Sequence, residues 1–384
     1  MKLRHVIPAL VIALAAPAAA PTAPANAAPL PADVLPTIAV TDVVAGLSIP
    51  WDITWAGDLM LFDERGGTLW SKRGDQAAQR VTLPLPRLFV SSEGGLLGLV
   101  ADPDVANNNF FYTCMSVAKS SGKASDVQVW KWHLTSDTTA EKVKVLVKGI
   151  PIGHGRHNGC RLRFRSPLML YIGTGDAAKG TNPQNLHSLG GKVLRVRSDG
   201  SIPKSNPFYR KGGNARYVWN YGHRNIQGLA LRPGSNELWS AEHGPSRDDE
   251  VNIVKRGANY GWSPTPGYNE KRSMTDLKRF PKALRAKWSS GFPTVATSGA
   301  TFLSGSQWGA WDGDLAVAEL KGTGILLFSV SADEKLTELG EIAGTYGRVR
   351  TVQQGPDGAL YFTTSNATPT TPGVDGIHRL VLAG

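Results

Sequence analysis

Between Trp219 and Trp262 the chain reads WNYGHRNIQGLALRPGSNELWSAEHGPSRDDEVNIVKRGANYGW, the densest collection of chemically useful side chains in the sequence. His223, Arg224, Asn225 and Gln227 place a cation beside amides, His243, Gly244 and Pro245 make a turn, and Asp249 and Glu250 form an acidic pair. Crowding such groups is costly unless an anion or a metal satisfies them. Two readings stay open: the groups face a bound cofactor, or Arg224 and Glu250 belong to ordinary surface ion pairs that contribute little. Three further cations, Lys321, Arg348 and Arg350, stand with Arg224 in loops at the ends of apolar phrases. Arg348 and Arg350 share one strand face at i, i+2 spacing, whether that face is exposed or turned to a ligand. His154 and His157 make an H-x-x-H pair, which without clear partners is a poor zinc signal. A histidine is nevertheless the side chain suited to moving a proton near neutral pH.

Elements that could position these residues recur along the chain. A turn followed by an apolar and aromatic strand appears as GDLMLFDERG from Gly57, NNNFFYTCMS from Asn107, PLMLYIGTGD from Pro167, NELWSAEHG from Asn236, GDLAVAELKG from Gly313 and DGALYFTTSN from Asp357. Several copies follow a second strand that ends in a turn, as in LLGLVADPD, GLALRPGSN and VRTVQQGPDG, so each pair reads as a hairpin. Six pairs with room for further short strands predict an all-β chain folded as a six-bladed β-propeller. TIAVTDVVAG after Pro36 and the terminal IHRLVLAG are placed to pair and close the ring, which removes exposed edges. Ser263 to Phe292 breaks the pattern with Pro, Gly and a basic run; it reads as a long loop carrying a helical turn and lining a binding cleft.

The first 27 residues combine a basic start, a short apolar run and small residues ending Ala25-Asn26-Ala27, the design of a cleavable secretory signal. That run is too short and too rich in Ala and Pro for a membrane span, and no later segment is long enough. The expectation is an exported chain whose residues 28–384 form one propeller domain. Removing the segment takes Lys2 and Arg4 and no acid, so the formal charge falls from +11 to +9. A basic balance favours anionic partners, but scattered cations without interleaved aromatics argue against nucleic acid. Cys114 and Cys160 are the two cysteines. In an oxidising compartment they form either a staple between neighbouring strands or two buried small hydrophobes.

In order along the chain, GGLLGLVADPD, HNGCRLRF, LYIGTGD, NLHSLGGKVLRV, YGHRNIQGLAL, WSAEHGP, DDEVN, ANYGW, LKGTGILLF and GRVRTVQQGPDGALYFTT resemble the soluble quinoprotein aldose and glucose dehydrogenases. The likeness runs from about Leu47 onward, and the compact loops look more like the aldose sugar dehydrogenase branch. It implies a six-bladed propeller that uses pyrroloquinoline quinone (PQQ) and Ca2+ to oxidise a sugar and pass electrons to an external acceptor. PQQ carries three carboxylates, and arginine forks or lysine charges meet such groups. The resemblance places Arg224, Lys321, Arg348 and Arg350 on the cofactor, converging on one pocket, with Asn225, Gln227 and Thr294 at matching positions. It puts the carbonyls of Gly244 and Pro245 on a catalytic calcium, Asp249 and Glu250 on a second, structural one, and His157 at the catalytic base.

Three positions depart from the family pattern: Glu93 stands for a Gln ahead of GGLLG, Arg156 for an Asp before the base, and Phe292 for a Trp. The charge of Glu93 either repels a cofactor carboxylate or points to solvent, and all three changes bear on sugar preference. Two other functions use the same fold, a calcium propeller acting on lactones and a non-catalytic carbohydrate-binding propeller. The first asks for carboxylates around an axial metal, whereas this chain offers cations.

Overall fold

The structure, a computed structural model, describes residues 35–383; the expected signal segment, 1–27, lies outside them. The described residues form six four-stranded antiparallel sheets. The innermost strands are Pro50–Ala56, Leu96–Ala101, Gly159–Ser166, Ile226–Arg232, Thr297–Phe302 and Val349–Gln354, which head blades 1 to 6 in that order. Each packs against the next and the sixth against the first, so the sheets close into a ring. All six recurring phrases are the second strands of their blades, for example Leu59–Glu64 in blade 1 and Met169–Thr174 in blade 3.

Blade position explains the sequence pattern. Inner and second strands are covered on both faces by neighbouring blades, so Leu96–Ala101 and Leu315–Glu319 are buried almost throughout. Outer strands such as Thr139–Ile150 are largely exposed and carry the charges. Near the axis the inner strands approach so closely that a side chain has no room: a Cβ on Gly98 would lie 2.0 Å from the Cys160 carbonyl oxygen. The ring closes as the termini suggest. Ile38–Leu47 pairs antiparallel with Asp375–Leu382, from Ile38 opposite Leu382 to Leu47 opposite Asp375, as the outer strand of blade 6. Cys114 in blade 2 and Cys160 in blade 3 form a buried disulfide between adjacent blades.

Beneath the site a buried clamp crosses the axis. Arg161 pairs with Asp52 at 2.6 Å, donates to the Gln227 carbonyl at 2.6 Å and Thr351 Oγ1 at 2.9 Å, and lies over the Trp51 ring. Asp52 also accepts from the Leu99 backbone N–H, so one ion pair touches the inner strands of blades 1, 2, 3, 4 and 6. Breaking such a pair would leave a buried charge uncompensated, which costs about 3–5 kcal/mol. No helix among the described residues is long and apolar enough to cross a membrane.

The loop from Ser263 to Phe292 differs from expectation: it contains turns and no helix. Its backbone instead bonds to residues 259–264, with Asn269 N–H on the Pro264 carbonyl and Leu284 N–H on that of Asn259. It joins the third strand of blade 4 to a two-residue outer strand, Trp288–Ser289.

Candidate active site

In an antiparallel blade the start of the inner strand and the turn after the second strand emerge on the same face. His157, Arg224, Asn225, Thr294 and Arg348 lie just before inner strands, while Asp176, His243, Gly244, Pro245 and Lys321 follow second strands. The topology therefore gathers residues scattered over two hundred positions onto one end of the ring.

His157 is 4% exposed, and its Nδ1 lies 2.9 Å from Oδ1 of the fully buried Asp176. Asp176 also accepts from Ala178 N–H on Oδ1, and from Trp262 Nε1 at 2.8 Å and Tyr268 Oη at 2.7 Å on Oδ2. A carboxylate so placed holds the ring proton on Nδ1 and leaves the Nε2 lone pair to take a proton. Burial and the Asp176 charge push the Tyr268 hydroxyl far above its ordinary value, so it stays a donor. The backbone is tight here: a Cβ on Gly175 would lie 1.8 Å from the His157 carbonyl oxygen.

Beside this pair a cavity of about 360 Å3 is lined by Trp51, Arg65, Glu93, Gln227, Arg348 and Arg350, among others. Arg350 donates to Gln227 Oε1 at 3.1 Å, but its buried Nε has no partner. Burial, reinforced by the positive charges of Arg348, Arg161 and Arg65, pulls its guanidinium down to about 9. Burial likewise lowers Arg348, whose guanidinium is held by the carbonyls of Ser365 and Leu320. Glu93 is the one carboxylate among the lining residues. It is turned into the site rather than to solvent, accepting from His157 N–H at 3.1 Å and Asn225 Nδ2 at 3.3 Å.

The expected cation set thus divides. Gln227, Arg348 and Arg350 share the cavity. Arg224 stands on the His157 side, bonded to the His243 carbonyl and paired with Glu270 at 2.9 Å, with its buried Nε unpartnered. Lys321 is exposed at the rim, 3.3 Å from Thr294 Oγ1. Asn225 uses its side-chain oxygen to hold the Gly159 N–H. Arg156 reaches Glu270 at 3.8 Å, and Phe292 is 78% exposed.

Sequence reasoning missed Asp176, Arg65, Tyr268 and Glu270 as members of the site. Asp176 and Arg65 stand at the ends of recurring phrases, PLMLYIGTGD and GDLMLFDERG, and were visible as charges at strand ends; Tyr268 and Glu270 carry no local signal. His243, named in the His-Gly-Pro turn, also stands at this end of the ring. Burial, then the charges of Arg224, Arg350 and His157, hold this imidazole neutral, and its Nε2 has no partner.

Arg65, Arg348 and Arg350 line the cavity against the single carboxylate of Glu93, an excess of positive charge that fits a small polyanion, so the residues present suit PQQ. For calcium, the carbonyls of Gly244 and Pro245 receive no backbone N–H bond among the described residues and are available as ligands. Asp249 is less so: its carboxylate already accepts the N–H groups of Gly244, Val295 and Ala296. Burial and the neighbouring Glu242 charge hold Glu250 well above the usual carboxylate range, a repulsion that a cation would offset. No cluster of three or more His, Cys, Asp or Glu side chains suited to a metal occurs among the described residues.

These features define a class: a closed six-bladed propeller whose loops at one end set a cation-lined cavity beside a buried His–Asp pair. The chain belongs to the glucose/sorbosone dehydrogenase family, whose profile matches residues 47–371. It is 32% identical to an aldose sugar dehydrogenase of Escherichia coli, over 86% of this chain and 91% of that protein. It is 28% identical to quinoprotein glucose dehydrogenase B of Acinetobacter calcoaceticus, over 59% of this chain and 53% of that one. The apo crystal structure of the soluble Escherichia coli aldose sugar dehydrogenase superposes with a TM-score of 0.80 at 29% identity, covering 90% of this chain and all of that one. The PQQ-bound form of the Streptomyces coelicolor aldose sugar dehydrogenase gives 0.74 at 28% identity, over 90% and 99% of the two chains. The protein is thus an oxidoreductase, a sugar dehydrogenase of this propeller class.

Proposed function

We propose that the protein is an exported enzyme that uses PQQ and calcium to oxidise an aldose at its anomeric carbon to the lactone, delivering electrons to an external acceptor. The observation that carries this reading is the positive cavity, with Arg350 Nε unpartnered and its guanidinium pulled down to about 9, beside a histidine whose tautomer is set by Asp176. Export is supported by the composition of residues 1–27 and by the Cys114–Cys160 disulfide, a bond characteristic of oxidising compartments.

Arg65, Arg348 and Arg350 would meet cofactor carboxylates, Gln227 would add a hydrogen bond, and Arg224, Asn225, Thr294 and Lys321 would complete the rim. The carbonyls of Gly244 and Pro245 would hold calcium, which polarises oxygen as a Lewis acid. When bound, PQQ supplies the two-electron oxidant that takes hydride from the anomeric carbon. His157 Nε2 accepts the hydroxyl proton of the sugar, and Asp176 stabilises the imidazolium that results. Trp262 and Tyr268 hold Asp176 so that the ring does not turn.

The test is reconstitution. Adding PQQ and calcium to purified apo-protein is expected to change the cofactor spectrum and to give sugar-dependent dye reduction that a chelator removes and calcium restores. No spectral change on adding PQQ would refute the assignment.

A further inference from the structure

We propose that the loop spanning 263–287 is the docking surface for the electron acceptor, and that the acceptor it fits is an acidic redox protein. The inference rests on the dehydrogenase reading above and adds the partner to it. Within these residues stand seven Lys and Arg against Glu270 and Asp276, a net charge of +5 out of +11 for the whole chain. Both acids are engaged by cations, although Glu270 remains 44% exposed. Glu270 is drawn to Arg224 and Arg156, and Asp276 is 8% exposed and bonded to the Arg279 N–H. Most of the cations face outward unpaired: Lys271, Lys278, Lys282 and Arg285 are exposed and in no ion pair among the described residues, whereas Arg279 lies 3.9 Å from Asp276 and Lys287 pairs with Glu334 at 3.1 Å. Leu284, 39% exposed, lies between Lys282 and Arg285. An apolar centre with a rim of one charge is the pattern of a transient, electrostatically steered contact.

Two observations separate this surface from an ordinary solvated charge run. First, the loop is anchored, through Arg279 Nη1 on the Ser263 carbonyl and the Phe280 and Leu284 N–H groups on those of Asp276 and Asn259. The backbone that carries its charges is therefore held in place. Second, its root is part of the site: Tyr268 bonds His157 and Asp176, and Glu270 pairs with Arg224. A partner seated over the root of the loop lies beside the His157–Asp176 pair. Conversion of one aldose to its lactone releases two electrons and two protons. A haem takes one electron, so two acceptor proteins dock and depart per turnover while both protons go to solvent. Rapid exchange of this kind calls for charge-driven rather than extensive apolar contact.

The experiment uses the holoenzyme, the charge-reversed variant K271E/K278E/K282E/R285E, and its neutral counterpart with Gln at the same positions. None of the four belongs to the catalytic or cofactor-binding set. The probe is cytochrome b5, an acidic haem protein, titrated in its oxidised form at low salt and at about 0.5 M salt, where charge steering is screened. Wild type is expected to bind it at low salt and release it at high salt. The reversed variant should lose at least about 10-fold in kcat/KM for the cytochrome at low salt, the neutral variant should fall between, and the gap should close at high salt. Sugar-driven reduction of the bound cofactor without acceptor, and turnover with a neutral dye, should be unchanged, which also shows that the variants fold. Salt-sensitive binding that the reversal abolishes supports the surface even if no sugar is turned over, whereas absent sugar-driven reduction in wild type counts against the dehydrogenase reading alone. A reversed variant within about twofold of wild type towards the cytochrome, or no salt-sensitive binding by wild type, would overturn the proposal.

Discussion

Replacing Asp176 by Asn tests the proton-transfer unit with almost no change of volume. The carboxylate accepts from four donors: His157 Nδ1 and Ala178 N–H on one oxygen, Trp262 Nε1 and the Tyr268 hydroxyl on the other. An amide offers one acceptor oxygen and one NH2. With the NH2 toward His157, the imidazole must move its proton to Nε2 and loses the lone pair that receives the sugar proton, while the Ala178 N–H is orphaned. With the NH2 toward Trp262, the indole N–H is orphaned and the imidazolium forms without a neighbouring negative charge. Either arrangement leaves one buried donor unmatched, which costs about 1–3 kcal/mol of stability. Either also removes the general-base contribution, so kcat should fall by about 10^2 to 10^4. None of the four bonds reaches Arg348 or Arg350, so cofactor affinity should stay within about threefold, because each tenfold change needs about 1.4 kcal/mol. Stopped-flow reduction of the reconstituted enzyme by sugar reads the first effect, denaturant titration the second and a PQQ titration the third. A kcat within about threefold of wild type would refute the role assigned to the pair.

Arg350→Met removes a buried, incompletely bonded cation flanked by Arg348, Arg161 and Arg65. The apo-protein should melt higher, while PQQ should bind at least about 10-fold more weakly, both read by calorimetry. Cys114→Ser with Cys160→Ser opens a cross-link spanning 46 residues between blades 2 and 3, and should lower stability by about 4 kcal/mol on the chain-entropy account, measured by denaturant unfolding. Burial and the adjacent Glu341 carboxylate raise Glu319 to about 8. The folded chain then binds more protons than the unfolded chain between about 4.5 and 8, so this group's stabilisation is full at low pH and lost as pH rises through that window. Glu319→Gln should therefore raise the Tm by about 2 °C or more at pH 8.5 and bring no such gain at pH 5; equal shifts at both would reject the titration.

What the residues alone determined is the repeating architecture. Buried second strands such as LMLFDE and LAVAE must be apolar because a blade lies on each side of them, and six such phrases separated by turns leave few arrangements except a ring. The closing strand was legible for the same reason, since the unpaired strands at the two ends complete one another. The long loop was legible as cleft-lining but not in its conformation, because its turns are held by bonds to residues 259–264 rather than by a local pattern. Within the site, His157 and the cations stood out by type. Tyr268, Glu270 and the pairing of Asp176 with His157 came to light only in three dimensions, since residues 157, 176 and 268 meet through the packing of blades 3 and 4. Glu93 shows the division most plainly. Its charge was readable at once, but whether it faced solvent or the cavity depended on where ring closure set blade 2 against His157 and Asn225 in the next two blades. Strand patterns are local and written in side-chain type, whereas the meeting of loops across a closed ring depends on the geometry of the whole.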